Sequence, residues 1–77
     1  MKELYENLRR IEMERVPNAY IPSFEEAKGA IRQAYIDNNS LDDWIICMKA
    51  EEALGTDDAY IPMCLFELVV KELRAVQ

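Results

Sequence analysis

The sequence predicts an all-α protein whose four helices form two packed helix–loop–helix hairpins, which is a small helical bundle. Apolar residues recur at helical spacing in four segments, and residues typical of helix starts and ends separate them. One tetrapeptide also occurs in the loop of each predicted hairpin. At 77 residues, the chain is expected to form one domain, residues 1–77, with a thin core.

The first half of the chain predicts two helices. Residues 2–15 place Leu4, Leu8 and Ile11 on one face, which we expect to contact the core, with Tyr5 at its flank. The second helix begins at a capping box, Ser-Phe-Glu-Glu at residues 23–26, in which the serine caps the helix and the second glutamate reaches back. Its predicted core face consists of Phe24, Ala27, Ile31, Ala34 and Tyr35.

The third helix is predicted to start at a second capping box, Ser40 to Asp43, and to end before Gly55, a residue type favoured after helix C-termini. Its apolar residues are expected to divide between two faces. The predicted core face is Leu41, Trp44, Ile45 and Met48, with Ile46, Cys47 and Leu54 lying elsewhere.

The fourth helix begins at Pro62 and is apolar around most of its circumference. Its predicted core face is Leu65, Phe66, Val69, Leu73 and Val76, flanked by Met63 and Val70 on one side and by Cys64, Leu68 and Ala75 on the other. A helix with so little polar surface is either central or covered by another chain. We therefore expect self-association, with a homodimer as the default symmetric form.

The tetrapeptide Ala-Tyr-Ile-Pro occurs at residues 19–22 and again at 59–62. Each copy lies between two predicted helices, so residues 4–36 and 44–76 form a candidate pseudo-repeat. Because apolar side chains in such loops usually cover a helical core, four residues are predicted to act as lids rather than as an exposed recognition surface. They are Tyr20, Ile21, Tyr60 and Ile61.

The cysteine and histidine content excludes several kinds of site. Cys47 and Cys64 both lie in apolar runs, and the chain has no histidine. Two thiolates alone do not complete a four-ligand zinc site, so we expect no metal and two buried thiols in a reducing compartment. The charged N-terminus lacks the apolar core of a signal peptide, and no segment reaches the ~18 apolar residues of a membrane span. A cytoplasmic location is the resulting expectation.

The net charge of −6 lies entirely in residues 37–58, where seven carboxylates accompany only Lys49. This sign disfavours direct contact with nucleic acid. Glu51, Glu52, Asp57 and Asp58 concentrate around one turn, which indicates a docking surface for a basic protein partner. A solvated acidic face is one alternative, and calcium binding is another, although the spacing is not that of an EF-hand. The candidate partner-binding residues are Glu51, Glu52, Asp57, Asp58, Cys64 and Leu68.

The sequence lacks the groups on which most catalytic sites depend. Without histidine, no histidine-based nucleophile activation or proton shuttle can be built, and two glycines do not make a phosphate-binding loop. We therefore expect no enzyme and no cofactor, but a small regulator, adaptor or inhibitor that binds another protein. A phage or mobile-element inhibitor that mimics nucleic acid with its carboxylates is an alternative form of this hypothesis.

A second alternative comes from residues 40–52. Ser40-Leu41-Asp42, followed by an apolar run to Met48 and then by Glu51-Glu52, resembles the second helix of acyl carrier proteins. The resemblance implies a phosphopantetheine group on Ser40 and basic partner enzymes on the acidic helix. The chain departs from that family where Asn39 replaces the aspartate before the serine. Ser40 is also explained as a helix cap.

Overall fold

The computed structural model describes residues 1–38 and 42–75. Within these residues the chain forms four helices, and the all-α prediction is confirmed. The helices are α1 (Lys2–Arg15), α2 (Phe24–Asn38), α3 (Asp43–Ala53) and α4 (Met63–Ala75). Helices α2 and α4 each contact the other three helices, and the most extensive contact is between α2 and α3.

The helix ends follow the signals in the sequence where the structure describes them. The capping box at α2 forms, because the Ser23 hydroxyl oxygen accepts the Glu26 amide at 3.3 Å and the Ser23 amide donates to Glu26 Oε1 at 3.2 Å. Gly55 follows α3 with a φ of +76°, a left-handed conformation that glycine adopts without strain. Helix α3 begins after Asp42, and the predicted cap Ser40 lies outside the described residues.

Helix α1 turns a different face to the core than the sequence predicts. Tyr5 is fully buried, whereas Leu4 and Ile11 are 50% and 53% exposed and Leu8 is partly buried. The Tyr5 hydroxyl donates to the Pro22 carbonyl oxygen at 2.8 Å, and its ring packs edge-on against Phe24 with centroids 5.4 Å apart. This contact with the loop fixes the rotation of α1, so the predicted face was wrong.

The predicted core face of α3 was also wrong at its described residues, and Leu41 lies outside them. Trp44 and Met48 are 57% and 46% exposed, and Ile45 is only partly buried. The opposite face is turned inward, where α3 packs on α2 and the Cys47 thiol bonds to the Ile61 carbonyl oxygen in the loop before α4. The buried face of α3 is Ile46, Cys47 and Ala50.

Helix α4 places most of its predicted core face inside. Leu65, Phe66, Val69 and Val70 are buried, and Tyr35 of α2 stacks on Phe66 with ring centroids 6.2 Å apart. Of the predicted core face, Leu73 is only partly buried, and Val76 lies outside the described residues. On the flanks, Leu68 is partly buried, whereas Met63, Cys64 and Ala75 are exposed.

The two Ala-Tyr-Ile-Pro segments meet in space. Tyr20 and Ala59 form an isolated parallel β-bridge, in which the Tyr20 amide donates to the Asp58 carbonyl oxygen at 2.8 Å and the Tyr60 amide donates to the Tyr20 carbonyl oxygen at 2.9 Å. The pairing joins residue 20 to residue 59, so the two copies lie side by side with a displacement of one residue.

The loop residues become lids only in part. Ile21 and Ile61 are buried in the core, as predicted. Tyr20 is partly buried, and Tyr60 is 39% exposed, so the lid prediction for Tyr60 was wrong. Among the described residues, none of the helices combines the length and apolarity that a bilayer crossing requires.

Candidate protein-interaction surface

An open groove of about 490 Å³ lies where α3 ends and the loop to α4 begins. Three of its lining residues are carboxylates from the predicted acidic turn, and one is an exposed methionine. We call this feature the acidic groove. It is lined by Met48, Glu51, Glu52, Gly55, Thr56, Asp57 and Ala59.

The end of α3 shapes the acidic groove. The Leu54 amide donates to the Glu51 carbonyl oxygen at 3.2 Å, and the Gly55 amide donates to the Glu52 carbonyl oxygen at 3.1 Å. Gly55 then reverses the chain in its left-handed conformation. The returning segment brings Asp57 and Ala59 to the same opening as the last turns of α3.

Glu51 has a structural contact as well as a place in the groove. Its Oε2 accepts a hydrogen bond from the Ile61 amide at 2.7 Å. One turn earlier on α3, the Cys47 thiol donates to the Ile61 carbonyl oxygen at 3.3 Å. Both polar groups of Ile61 are therefore held by α3, which keeps a buried residue's backbone hydrogen-bonded.

The chemistry of Cys47 suits this anchoring contact. Burial, with a smaller contribution from the nearby Glu51 carboxylate, raises the pKa of its thiol to about 12. The thiol is therefore neutral at pH 7 and keeps the proton that it donates. Cys47 is buried, as predicted.

The other predicted partner-binding residues have different positions. Glu52 and Asp57 are exposed and line the acidic groove, whereas Asp58 is exposed beside it and supplies its carbonyl oxygen to the Tyr20 bridge. Cys64 is exposed in the first turn of α4, so its predicted burial was wrong. It turns outward because the next two residues of α4 point into the core. Leu68 lies one turn later and is partly buried.

Sequence reasoning missed the surface that Trp44 and Met48 form on α3. The two side chains lie one turn apart on the helix and are both exposed, and Met48 is part of the groove wall. A signal was present in the sequence. The same stripe continues one and two turns later into Glu51, Glu52 and Gly55, which is the composition of a solvent-facing side.

A second polar cluster holds the loop between α1 and α2. Arg9 Nε donates to the Ile21 carbonyl oxygen at 2.8 Å and Glu6 Oε2 accepts the Phe24 amide at 2.8 Å. Glu6 Oε1 and Arg9 also form an ion pair at 3.2 Å. These charges have partners within the chain, which indicates a structural role.

The Tyr20 hydroxyl links the same loop to the first turn of α2. It donates to Glu26 Oε1 at 2.6 Å. This hydrogen bond is the main cause that raises the pKa of Tyr20 and lowers the pKa of Glu26, with the Ser23 amide adding to the second effect. The capping glutamate of α2 is therefore tied to the loop as well as to its own helix.

Neither metal-ligand geometry nor similarity to known proteins indicates a further site among the described residues. Within residues 1–38 and 42–75, no three histidine, cysteine, aspartate or glutamate side chains are placed to hold a metal ion. No protein-family model, curated protein or solved structure matches the chain. The resemblance to acyl carrier proteins depends on Ser40, which lies outside the described residues.

Proposed function

We propose that this protein is a small, non-catalytic interaction module, a regulator, adaptor or inhibitor, that docks a basic protein partner in the acidic groove. One observation carries the proposal: Glu51, Glu52 and Asp57 surround a concave opening beside the exposed Met48. A patch of one sign steers a partner of the opposite sign, and methionine is enriched at interface centres.

The reactive groups of the chain support binding rather than catalysis. Cys47 is a poor nucleophile because its thiol is buried and its raised pKa keeps it protonated. The carboxylates of the acidic groove lie around an open surface, where water competes for any reacting group. The groove is thus suited to holding a charged side chain of another protein.

Affinity capture from a host lysate tests this function. The informative variant is Glu52→Lys/Asp57→Lys, because both residues are exposed and line the groove, while Glu51 stays unchanged to keep its contact with Ile61. The matched control is Glu14→Lys/Glu67→Lys, which reverses two exposed charges on other helices and gives the same net charge.

We expect one protein, identified by mass spectrometry, to be retained by the wild type and by the control and to be lost with the groove variant. Circular dichroism should show that all three proteins are folded. Equal retention by the groove variant would exclude the acidic groove as the docking site. Recovery of the bait alone by the wild type would also count against the proposal.

We also propose that the protein forms a homodimer. The exposed pair Leu4 and Ile11 on α1, with the partly buried Leu8 between them, supplies an apolar stripe two turns long. Burial of such a stripe against a second copy stabilises association. Light scattering should give twice the monomer mass of 9.0 kDa. The variant Leu4→Glu/Ile11→Glu should give the monomer mass, and a monomeric wild type would contradict the proposal.

A further inference from the structure

We infer that the partner segment is a cationic amphipathic helix, which lies along the Trp44–Met48 side of α3 and places its basic residues in the acidic groove. The inference rests on the proposed function and specifies the chemistry of the partner. It combines an exposed apolar pair, a neighbouring group of carboxylates and a loop whose backbone is already paired.

The apolar pair supplies the anchor. Trp44 and Met48 are separated by four positions on α3, about 6 Å along the helix axis, and point to the same side. Tryptophan contributes large contact areas at interface centres, and methionine adapts its shape to different partners. A second helix repeats its own apolar residues at the same interval, so it can match this pair along its length.

The charge next to this pair selects the sign of the partner. Met48 belongs both to the apolar pair and to the acidic groove, so the two features are continuous. Lysine or arginine one turn beyond an apolar anchor can therefore reach Glu52 and Asp57, with its aliphatic stem lying on apolar surface. Lys49, on the same helix, is the only basic residue among residues 37–58. An acidic segment would be repelled here.

The backbone around the groove argues against the addition of a strand from a partner. A strand would need unpaired amide and carbonyl groups along the edge of the bridge between Tyr20 and Ala59. On one side, both polar groups of Ile61 are occupied by Glu51 and Cys47. On the other, the Ile21 carbonyl oxygen accepts Arg9. These occupied groups favour a partner that binds through side chains, as a helix does.

Trp44 makes the inference directly testable, because it is the only tryptophan of the chain. The probe is a synthetic helical peptide of leucine and lysine with all leucines on one face. The controls are a peptide of the same composition in shuffled order and one with glutamate in place of lysine. Titration of tryptophan emission should show a saturable blue shift with the first peptide alone, as the indole leaves water.

The variants test the two parts of the surface separately. Glu52→Lys/Asp57→Lys replaces two attractive charges with two repulsive ones and should weaken the affinity for the peptide by about tenfold. Glu14→Lys/Glu67→Lys should change the affinity much less, although its net charge is the same. Met48→Ala should also weaken binding, because it removes half of the apolar anchor.

Two results would overturn the inference. Equal binding of the ordered and shuffled peptides would show that charge alone attracts them. The absence of a saturable shift would show that Trp44 is not in the contact. If affinity capture still retains a partner that depends on Glu52 and Asp57, the proposed function stands and the helical, apolar-anchored partner is excluded.

Discussion

The two halves of the molecule, residues 2–38 and 43–75, hold the same tetrapeptide in different ways. In the first half, Arg9 donates to the Ile21 carbonyl oxygen and pairs with Glu6, which accepts the Phe24 amide at the start of α2. In the second half, the neutral thiol of Cys47 donates to the Ile61 carbonyl oxygen. Glu51 accepts the amide of the same residue.

The two loop anchors also differ in charge. The anchor of the first loop contains both a cation and an anion, and residues 1–36 carry six basic and six acidic groups. The anchor of the second loop contains an anion and a neutral donor. The second half can therefore keep its loop in place while the neighbouring carboxylates remain available to another molecule. The asymmetry between similar loops is the basis of the proposed function.

The largest loss of stability should come from replacing the isoleucine that each copy of the tetrapeptide contains. Ile21→Ala and Ile61→Ala each remove a buried side chain and should each lower the free energy of unfolding by about 2–5 kcal/mol. Urea denaturation measures this loss. Ile36→Ala, at an exposed position, is the control and should change stability by about 0.5 kcal/mol or less. If only one isoleucine variant is destabilised, the two loops do not close the core in the same way.

A smaller loss of stability should distinguish Glu51 from the adjacent Glu52. Glu51→Ala leaves the Ile61 amide without its partner and should cost about 1–3 kcal/mol. Glu52→Ala, at an exposed position, should change stability by about 0.5 kcal/mol or less. Thermal or urea unfolding of the pair measures both. Equal losses would mean that Glu51 does not anchor the loop.

The neutral anchor of the second loop can be tested through thiol reactivity. Native protein should be alkylated rapidly once, at the exposed Cys64, and the buried Cys47 should react only after denaturation. Mass spectrometry of the labelled peptides identifies the site. Rapid labelling of Cys47 in the native state would show that the loop opens readily.

The Cys47 thiol should also make the stability of the protein depend on pH in the alkaline range. The folded pKa of Cys47 is about 12, above the ordinary value of 9.0, so the native state retains a proton that the unfolded chain loses. The unfolded state then binds fewer protons, and stability should fall as the pH rises from about 9 to 12. Cys47→Ala should reduce this slope in urea denaturation at a series of pH values. An unchanged slope would assign the loss to other groups, such as Tyr35.

The smallest effect concerns the first half. Tyr20→Phe removes the hydrogen bond that is the main cause of the lowered pKa of Glu26, so that pKa should rise towards 4.5. Because the folded pKa is lowered, the contribution of Glu26 is present above pH 4.5 and lost as the pH falls through the folded value. Carbon-13 NMR of the glutamate carboxyls follows the change. An unchanged pKa would assign its lowering to the Ser23 cap.

Local signals in the sequence predicted the parts of the fold that depend on neighbouring residues. The capping box of α2, its core face and the glycine after α3 follow from short-range chemistry. The rotation of α1 did not follow, because the fully buried Tyr5 bonds to the Pro22 carbonyl oxygen while Leu4 and Ile11 remain exposed. A loop that is distant in sequence decides that contact.

Helix α3 shows how a longer pattern could have corrected the prediction. Residues 44–48 are all apolar or cysteine, so a short window does not select a face. Over the full helix, the stripe through Trp44 and Met48 continues into glutamates, whereas the stripe through Ile46 and Ala50 remains apolar. The charge distribution predicted three residues of the acidic groove. The bond from Glu51 to Ile61 depends on tertiary packing and was not predictable from spacing.

The most direct test of the central claim is an amide NMR map of the isotope-labelled protein with the partner obtained by affinity capture. We expect the largest changes in chemical shift within residues 44–59, including the indole of Trp44. These changes should vanish in Glu52→Lys/Asp57→Lys. Shifts confined to α1, with the acidic groove unaffected, would contradict the proposed docking surface.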